Sequence, residues 1–415
     1  MTAKKILLIS YNYAPELTGI GKYNAELCEY LASVGHQVTV ITAYPYYPNW
    51  QVLEGYQNRW YQKECLNEVE LIRCPFYIPK HPTGLKRILQ DSSFYISSLV
   101  VVLWQIICDK RYDIVITPSP SFLCGFHGLF LTSWRRLTKF VYHIQDLQID
   151  AAIDLQMIKQ AWLQQILIGI ERYILNHATR VSTISTGMQQ KILAKKTKLT
   201  DVLLFPNWVD NTRIFKTLVD TSIIAGLGIP LDKKLFFYSG AIGEKQGLEM
   251  ILNIAPSMAH RSPEVVFVIS GTGPYREKLQ QAVIDAAIPN ILFIDLQPIP
   301  IFNQLLNHAY GHLVIQKESA GDLLLPSKLT NILAVGGLSI VTAVKGTTLY
   351  DVIDAHQMGI LVPPENAAAF EAAIVACANG SDGMAESLSK NAAAYAAQYL
   401  DKARIIDGFM AQIAS

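Results

Sequence analysis

Charged side chains are scarce in this chain. Asp, Glu, Lys and Arg make up 17% of its 415 residues and hydrophobic residues 51%, whereas an average soluble domain carries about 25% charged residues. Disordered chains combine low hydrophobicity with high charge, so this composition excludes them. The 35 basic and 34 acidic residues nearly cancel, which argues against a protein that binds nucleic acid over its whole surface. A compact chain remains, long enough for two domains and with more apolar surface than usual.

Several motifs that carry metal or nucleophile chemistry are also missing. The six cysteines include no C-x-x-C pair, which argues against a zinc site or a disulfide framework and fits a reducing cytosol. No Asp-x-Asp occurs, so the usual divalent-metal handle for a nucleoside diphosphate is absent. The G-x-S-x-G, H-E-x-x-H and protein-kinase signatures are absent too.

The apolar runs are short by membrane standards. The run over residues 6–10 is briefer than the roughly 7–15 apolar residues of a signal peptide, and it predicts a buried first strand. The longest run, residues 94–108, falls below the roughly 20 residues of a spanning helix. It predicts a buried core helix, with a helix that touches a membrane surface as the second interpretation and a true span as the third.

Short apolar runs alternate with helical patterns along the chain. The helical patterns include residues 23–33 and 247–258, and the alternation is typical of parallel sheets with crossover helices. This alternation begins again after residues 205–210. The second series predicts two Rossmann-like domains joined by a linker at about residues 206–232. Open parallel sheets bind ligands at the carboxyl ends of their strands, so the informative loops should follow strands. The predicted strands are 6–10, 37–42, 69–73, 113–117, 139–143, 180–184, 234–239, 265–270, 291–294, 312–315 and 339–342.

Glycines mark two such loops. Gly19 and Gly21 follow the first strand, and Gly240 follows the first strand of the second series, with Lys245 in the same loop. Glycine lets backbone N–H groups approach an anion at a helix N-terminus, and a lysine adds a point charge that suits a diphosphate. A tight strand–helix turn and an ordinary solvated lysine are the alternatives.

Residues 324–337 carry a third candidate site. Pro326, Ser327 and Lys328 stand where a helix would begin, and Asn331 follows one turn later. The positive end of a helix dipole favours a phosphate at that place. A plain capped helix is the alternative.

A histidine at a strand end is the fourth candidate. His143 closes a predicted strand, and Asp146 follows three residues later. A polar pair at the carboxyl edge of a parallel sheet can form part of a site. A structural histidine is the alternative.

Together these segments resemble the GT-B glycosyltransferases, specifically family 4 of the retaining sugar-nucleotide enzymes. The resemblance covers nearly the whole chain, and it looks closest to the colanic-acid-type fucosyltransferases of exopolysaccharide synthesis. It rests on stretches in family order: residues 11–50, HIQD at 143–146, STISTGM at 182–188, FPNWVDNTRIF at 205–215, SGAIGEKQGL at 239–248 and LPSKLTNILAVGG at 325–337.

The resemblance implies an α/β fold of the GT-B type, with two Rossmann-like domains whose parallel sheets face each other across a cleft. The N-terminal, acceptor-side domain would span residues 1–210 and the C-terminal, nucleotide-sugar domain residues 211–394. Residues 395–415 would form a helix that crosses back to the N-terminal domain.

The resemblance also implies an activity and a place for it. The enzyme would be a metal-independent, retaining hexosyltransferase that moves fucose or a related hexose from a nucleotide-sugar to a lipid-linked oligosaccharide or exopolysaccharide precursor. The donor would be a GDP-sugar first and a UDP-sugar second, with no further cofactor. The implied partners are this donor, the lipid-linked glycan acceptor, other polysaccharide-assembly enzymes and the inner face of the cytoplasmic membrane, where a cytoplasmic enzyme would bind peripherally; nucleic acid is not among them.

Roles for single residues follow from the same resemblance. The implied catalytic residues are His143, near the transferred sugar, and the two diphosphate cations Lys245 and Lys328. The implied donor-binding residues are Gly19, Gly21, Gly240, Lys245, Gly271, Gly273, Leu296, Gln297, Pro326, Ser327, Lys328 and Asn331. The implied acceptor-side residues are Tyr13, His143 and Asp146, and no metal ligand is implied.

The chain departs from the family pattern at three positions. Ala241 stands where an arginine is common, Asn331 stands where the second glutamate of a Glu–(seven residues)–Glu signature is expected, and Gln246 separates Lys245 from Gly247. Ala241 and Asn331 favour, as an alternative, a non-catalytic module that binds a sugar nucleotide or a glycan. A dinucleotide oxidoreductase would need a full glycine fingerprint, which the first loop lacks.

Basic residues surround the apolar stretches of the first domain. Residues 94–108 and 122–134 are apolar, and this composition suits a surface that lies on an anionic membrane. It predicts a peripheral face that brings the enzyme to a lipid-carried acceptor. The surrounding cations are Lys86, Arg87, Lys110, Arg111, Arg135, Arg136 and Lys139.

Overall fold

The chain divides into two compact units. The computed structural model describes residues 2–16, 19–80, 84–154, 158, 160–195, 197–318, 327–380 and 383–414. Unit 1 comprises Met1–Pro206 and Ile406–Ser415, and unit 2 comprises Asn207–Ile405. Each unit is built on one sheet whose strands run mainly parallel.

Unit 1 contains an eight-stranded sheet in its described residues. The strands are Lys5–Ile9 (β1), Gln37–Ala43 (β2), Gln62–Leu66 (β3), Val69–Cys74 (β4), Ile114–Ser119 (β5), Lys139–Ile144 (β6), Arg180–Thr183 (β7) and Leu203–Leu204 (β8). Their order is β3-β4-β2-β1-β5-β6-β7-β8, and only the edge strand β3 runs antiparallel to its described neighbour. Ile6 of β1 pairs with Val38 of β2 and with Ile114 of β5.

Helices pack against this sheet and complete the core of unit 1. Phe94, Val101 and Val102 of helix α2 join Leu7 of β1 and Val115 of β5 in one buried cluster. The helices are Gly19–Ser33 (α1), Gly84–Ile107 (α2), Gly125–Trp134 (α3), Gln148–Asp154 (α4), Ala161–His177 (α5) and Thr186–Leu193 (α6), with a 3₁₀ turn at Phe122–Cys124.

Among its described residues, unit 2 contains a six-stranded sheet whose strands all run parallel, in the order β11-β10-β9-β12-β13-β14. The strands are Lys234–Ser239 (β9), Val265–Ser270 (β10), Ile291–Ile294 (β11), Gly311–Val314 (β12), Ser339–Thr342 (β13) and Ile360–Val362 (β14). The helices are Thr221–Gly226 (α7), Glu249–Arg261 (α8), Arg276–Asp285 (α9), Ile299–His308 (α10), Ser327–Ala334 (α11), Thr348–His356 (α12), Ala367–Ala378 (α13), Met384–Tyr399 (α14) and Lys402–Ala414 (α15), with a 3₁₀ turn at Glu244–Gln246. Of α15, residues 402–405 belong to unit 2 and residues 406–414 to unit 1.

Each predicted strand is confirmed to within two residues. The runs were readable because strands buried on both faces are apolar throughout; every residue of β10, for example, is buried. The pattern does not predict β3, β8 or β14. β3 is largely exposed at the sheet edge and β8 has two residues, so neither carries a continuous apolar signal.

Helix boundaries differ more from prediction. Helix α1 begins at Gly19 rather than at residue 23, so the first glycine loop forms the first helical turn. Helix α8 covers Glu249–Arg261 instead of 247–258. Helix α2 begins at Gly84, ten residues ahead of the apolar run, because an amphipathic segment extends it.

Two absences concern membranes and disulfides. Within the described ranges, no helix combines the length and the apolarity that crossing a bilayer requires. All six cysteines are free thiols, as the missing C-x-x-C pattern indicates.

Candidate functional site

Two glycine loops of unit 2 meet backbone to backbone at the carboxyl edge of its sheet. The N–H of Ile242, in the loop after β9, donates to the carbonyl of Thr272, in the loop after β10, at 2.9 Å. A Cβ on Gly271 would lie 1.9 Å from the Gly240 carbonyl oxygen, and a Cβ on Gly273 would lie 2.2 Å from the Ile242 carbonyl oxygen. Only glycine fits at positions 271 and 273. We call residues 240–242 and 271–273 the glycine surface.

The ammonium of Lys328 lies beside the glycine surface. Lys328 is the second residue of α11, and its Nζ lies 3.8 Å from the centroid of the Tyr238 ring. A Cβ on Gly240 would lie 3.3 Å from Cε and 3.5 Å from Nζ of this lysine. Burial lowers the pKa of Lys328 to about 7, because a poorly solvated site disfavours the charged form. An anion bound at this place would favour the charged, ammonium form of Lys328 again.

Lys245 lies in the same loop region with an exposed side chain. Its carbonyl accepts the backbone N–H of Lys317 at 3.0 Å. The Lys317 side chain packs on Gly247, where an added Cβ would lie 3.0 Å from its Cγ. Lys317 was not predicted as a site residue, although its place just after a predicted strand is a usable signal. The structure thus sets a further lysine next to the predicted one.

Helix α11 carries two more predicted donor ligands. Ser327 opens the helix, and its carbonyl accepts the hydroxyl of Thr330 at 2.8 Å. The Oδ1 atom of Asn331 is buried and has no hydrogen-bond partner among the described residues. Leaving a buried acceptor unpaired costs stability, so this oxygen suits a hydroxyl of a ligand. The predicted ligand Pro326 lies outside the described residues.

A third loop, after β11, holds Leu296 and Gln297 in half-buried positions. Arg276, which was not predicted as a site residue, ties this loop to the glycine surface. Its Nη1 donates to the carbonyl of Gly271 at 3.0 Å and to Oδ1 of Asp295 at 2.6 Å. The loops after β9, β10 and β11 therefore form one connected edge.

In unit 1 the glycine loop closes on a buried glutamate. A Cβ on Gly21 would lie 2.5 Å from Oε2 of Glu16. The Glu16 carboxyl accepts Nδ2 of Asn12 at 2.9 Å and two backbone N–H groups of the loop after β2 at 3.1 and 3.2 Å. Burial raises the pKa of Glu16 to about 7 in spite of these donors. Glu16 was not predicted as a site residue, yet its carboxyl lies against Gly21 and holds the loop after β2.

A cavity of about 370 Å³ lies next to this loop, with all its described lining residues in unit 1. Two predicted residues, Gly19 and Asp146, line it. Five aromatic side chains contribute to its wall: Tyr11, Tyr46, Tyr47, Trp50 and Phe122. An aromatic wall with a few polar groups is typical of a small-molecule site.

His143 and Tyr13 lie inside unit 1, with 2% and 1% of their surfaces exposed. Nδ1 of His143 is 2.9 Å from Oγ of Ser182, and its ring packs on Phe205 with centroids 5.0 Å apart. Burial lowers the pKa of His143 to about 3, so the ring is neutral at physiological pH. Neither residue is among those that line the cavity, and their contacts with the substrates stay predictions.

Comparison with known proteins identifies the family. Residues 18–208 match the family described as "Glycosyl transferase 4-like domain", and residues 219–395 match "Glycosyl transferases group 1". WcaI of Escherichia coli (strain K12), whose name assigns it to glycosyl transfer in colanic acid biosynthesis, is 39% identical over 379 residues, which are 89% of this chain and 91% of WcaI.

Solved structures agree on the fold. Sucrose-phosphate synthase from Thermosynechococcus elongatus is 16% identical and superposes with a TM-score of 0.73 over 99% of this chain and 98% of its own. Anabaena HepE, solved in complex with UDP and glucose, is 13% identical and has a TM-score of 0.71 over 99% of this chain and all of its own. The predicted fold class is confirmed, and the chain belongs to the glycosyltransferases of the GT-B fold.

Proposed function

We propose that this glycosyltransferase moves a hexose, fucose or a close relative, from a nucleoside-diphosphate sugar to a hydroxyl of a lipid-linked oligosaccharide or exopolysaccharide precursor. The observation that carries the proposal is the glycine surface of unit 2 with the Lys328 ammonium beside it. Backbone N–H groups in a glycine loop, a helix N-terminus and a lysine together suit a diphosphate. The unpaired Oδ1 of Asn331 would accept a hydroxyl of the donor.

The reaction would retain the anomeric configuration and would not depend on a metal. The bond between the anomeric carbon and the diphosphate oxygen breaks, the acceptor oxygen bonds to that carbon on the same face, and the acceptor proton passes to a diphosphate oxygen. Lys245, Lys317 and Lys328 would stabilise the charge that develops on the leaving group. The remaining work of the protein would be positioning of the two substrates.

The similarity to WcaI supports an acceptor in exopolysaccharide assembly, colanic acid or a related polymer. For the donor we propose a GDP-sugar, as the subgroup resemblance implies. A UDP-sugar stands second, since HepE was solved with UDP and glucose.

A thermal-shift screen over GDP-, UDP-, TDP- and CMP-sugars tests the donor. We expect one nucleotide class, GDP first, to raise the melting temperature, because a ligand at a hundred times its dissociation constant stabilises the folded state by about 2.7 kcal/mol. For a unit of this size, that corresponds to about 5–10 °C. Addition of membranes from the source cell should then release the nucleoside diphosphate.

Two results would count against this function. A donor that stabilises the protein but is never consumed would favour the non-catalytic module that Ala241 and Asn331 motivate. A flat response to the whole donor panel would remove the sugar-nucleotide site itself.

The proposed enzyme would also bind the inner face of the cytoplasmic membrane through unit 1. One face of α2 leaves apolar side chains in solvent at helical spacing, among them Ile96, Val100 and Ile107, which are 64%, 52% and 74% exposed. The salt bridge of Arg135 with Asp109 ties the end of α3 to the end of α2. An apolar face with cations at its end suits peripheral binding to an anionic bilayer.

A charge reversal tests this surface. The double variant Arg135→Glu, Arg136→Glu should lose most of its binding to vesicles that contain anionic lipid, since each cation near such a surface contributes about 1 kcal/mol. Lys191→Glu, Lys198→Glu changes the charge of unit 1 equally at two other exposed positions and should bind as the wild type does. If both variants cosediment equally with the vesicles, the apolar face of α2 does not serve membrane binding.

A further inference from the structure

Three buried polar atoms in the wall of the unit 1 cavity lack hydrogen-bond partners among the described residues. Asp91 and Gln90, neighbours on α2, are 6% and 2% exposed, and both line the cavity. Neither carboxyl oxygen of Asp91 has a hydrogen-bond partner within bonding geometry among the described residues, and Nε2 of Gln90 has none either. The Gln90 side chain also lies against the Tyr46 hydroxyl.

Such an arrangement is unfavourable for the protein alone. A buried polar group without a partner loses its hydration and gains nothing in return. Burial raises the pKa of Asp91 well above its usual range, and the nearby backbone N–H of Leu123 offsets this only in part. Burial thus favours the protonated form of this carboxyl, which can both donate and accept a hydrogen bond.

The rest of the wall indicates what would satisfy these groups. Rings of Tyr11, Tyr46 and Trp50 give apolar faces against which the C–H side of a sugar ring can lie. Among the described lining residues the cation is Arg87, which lies over the Trp50 ring at 5.4 Å, and it is opposed by the acidic side chain of Asp146. This balance disfavours a phosphate and favours a neutral polyol.

We propose that this cavity is the subsite for an uncharged pyranose of the acceptor, and that Gln90 and Asp91 are the specificity-determining pair that reads its hydroxyls. This inference rests on the proposed function, which defines the acceptor. Gly19 and Ile20 of the glycine loop line the same cavity, so the bound sugar would lie against the loop that the family resemblance assigns to the donor.

Binding of simple sugars to the full-length protein tests the subsite. The probes are methyl glycosides of fucose, galactose, glucose and mannose, observed by saturation-transfer NMR and titrated for affinity. We expect at least one to bind, and Asp91→Leu and Gln90→Leu to weaken it at least tenfold. Gln105→Leu is the matched control, because Gln105 is a buried amide of the same helix that bonds Tyr112 outside the cavity. Absence of binding by every glycoside, or unchanged affinity in Asp91→Leu, would overturn the proposal.

A stability measurement separates recognition from a structural role. Asp91→Leu should raise the melting temperature by about 2–6 °C, because it removes a buried group that lacks a partner. Gln105→Leu should lower it, since it breaks an existing hydrogen bond. A fall in the melting temperature of Asp91→Leu would make Asp91 a structural residue and overturn its role in recognition.

The outcome is independent of the donor site. The nucleotide-sugar screen concerns the glycine surface in unit 2, whereas glycoside binding concerns the cavity in unit 1. Glycoside binding without any donor response would contradict the proposed function and leave a sugar-binding cavity. A donor response without glycoside binding would contradict only the subsite.

Discussion

Gly271→Ala is expected to abolish donor binding and to lower the free energy of unfolding of unit 2 by at least about 2 kcal/mol. The new Cβ would lie 1.9 Å from the carbonyl oxygen of Gly240 and 3.0 Å from its carbonyl carbon. Backbone atoms cannot rotate away as a side chain can. The loop after β9 must therefore move, and the Gly240 N–H bond to the Ser270 carbonyl, 3.0 Å long, breaks with it.

The control for this variant is Gly226→Ala, in the same unit. No atom lies within 4 Å of a Cβ at Gly226, and alanine restricts the unfolded chain more than glycine does, so its stability should stay equal or rise slightly. Thermal melts and the nucleotide-sugar shift would be recorded for both proteins. A Gly271→Ala variant that melts with the wild type and still binds donor would show that the two loops are not in contact.

Lys328→Met is expected to reduce kcat/KM for the donor by about 10²–10³-fold, the effect of removing one preorganised group that stabilises developing charge. Methionine keeps a long side chain over the Tyr238 ring, so the loss would report on charge rather than on packing. Its melting temperature should hold or rise, because an amine that burial disfavours has been removed. Lys390→Ala, which removes an exposed lysine from α14, should retain full activity.

The same lysine predicts a pH dependence of donor affinity. Burial lowers the pKa of Lys328 from 10.5 to about 7 in the free protein, so above pH 7 the amine is mostly neutral. A bound diphosphate favours the ammonium, so binding takes up a proton. Donor affinity should fall by about tenfold per pH unit above pH 7, and calorimetry in buffers of different ionisation enthalpy should detect the proton. Lys328→Met should lose this dependence.

Stability of the donor-free protein should respond in the opposite sense. Between pH 7 and 10.5 the unfolded chain holds a proton on Lys328 that the folded chain does not. The contribution of Lys328 to the free energy of unfolding therefore rises with pH across this window. Donor affinity that is constant from pH 7 to 9 would exclude Lys328 from the diphosphate site.

Local patterns in the sequence were enough for the strands and for the glycine loops. The strand β10 is readable because each of its residues is buried and all but the last are apolar, and Gly240 is readable because it follows such a strand, whereas Gly271 was predicted from the family resemblance. Helix boundaries were less accurate: α2 extends ten residues ahead of its apolar run. The first segment of α2 is amphipathic, so no change from polar to apolar residues marks where the helix begins.

The sequence by itself determined the two series of buried strands, the glycine loops that follow them and the family to which the chain belongs. The tertiary structure decided which polar groups meet. It placed Lys317 on Gly247, buried His143 against Phe205 and set Asp91 in a cavity wall. Hydrophobic runs and glycines act through neighbours in the chain, so a linear pattern reveals them. Contacts between residues far apart in the chain depend on strand order and register, which only the folded sheets fix.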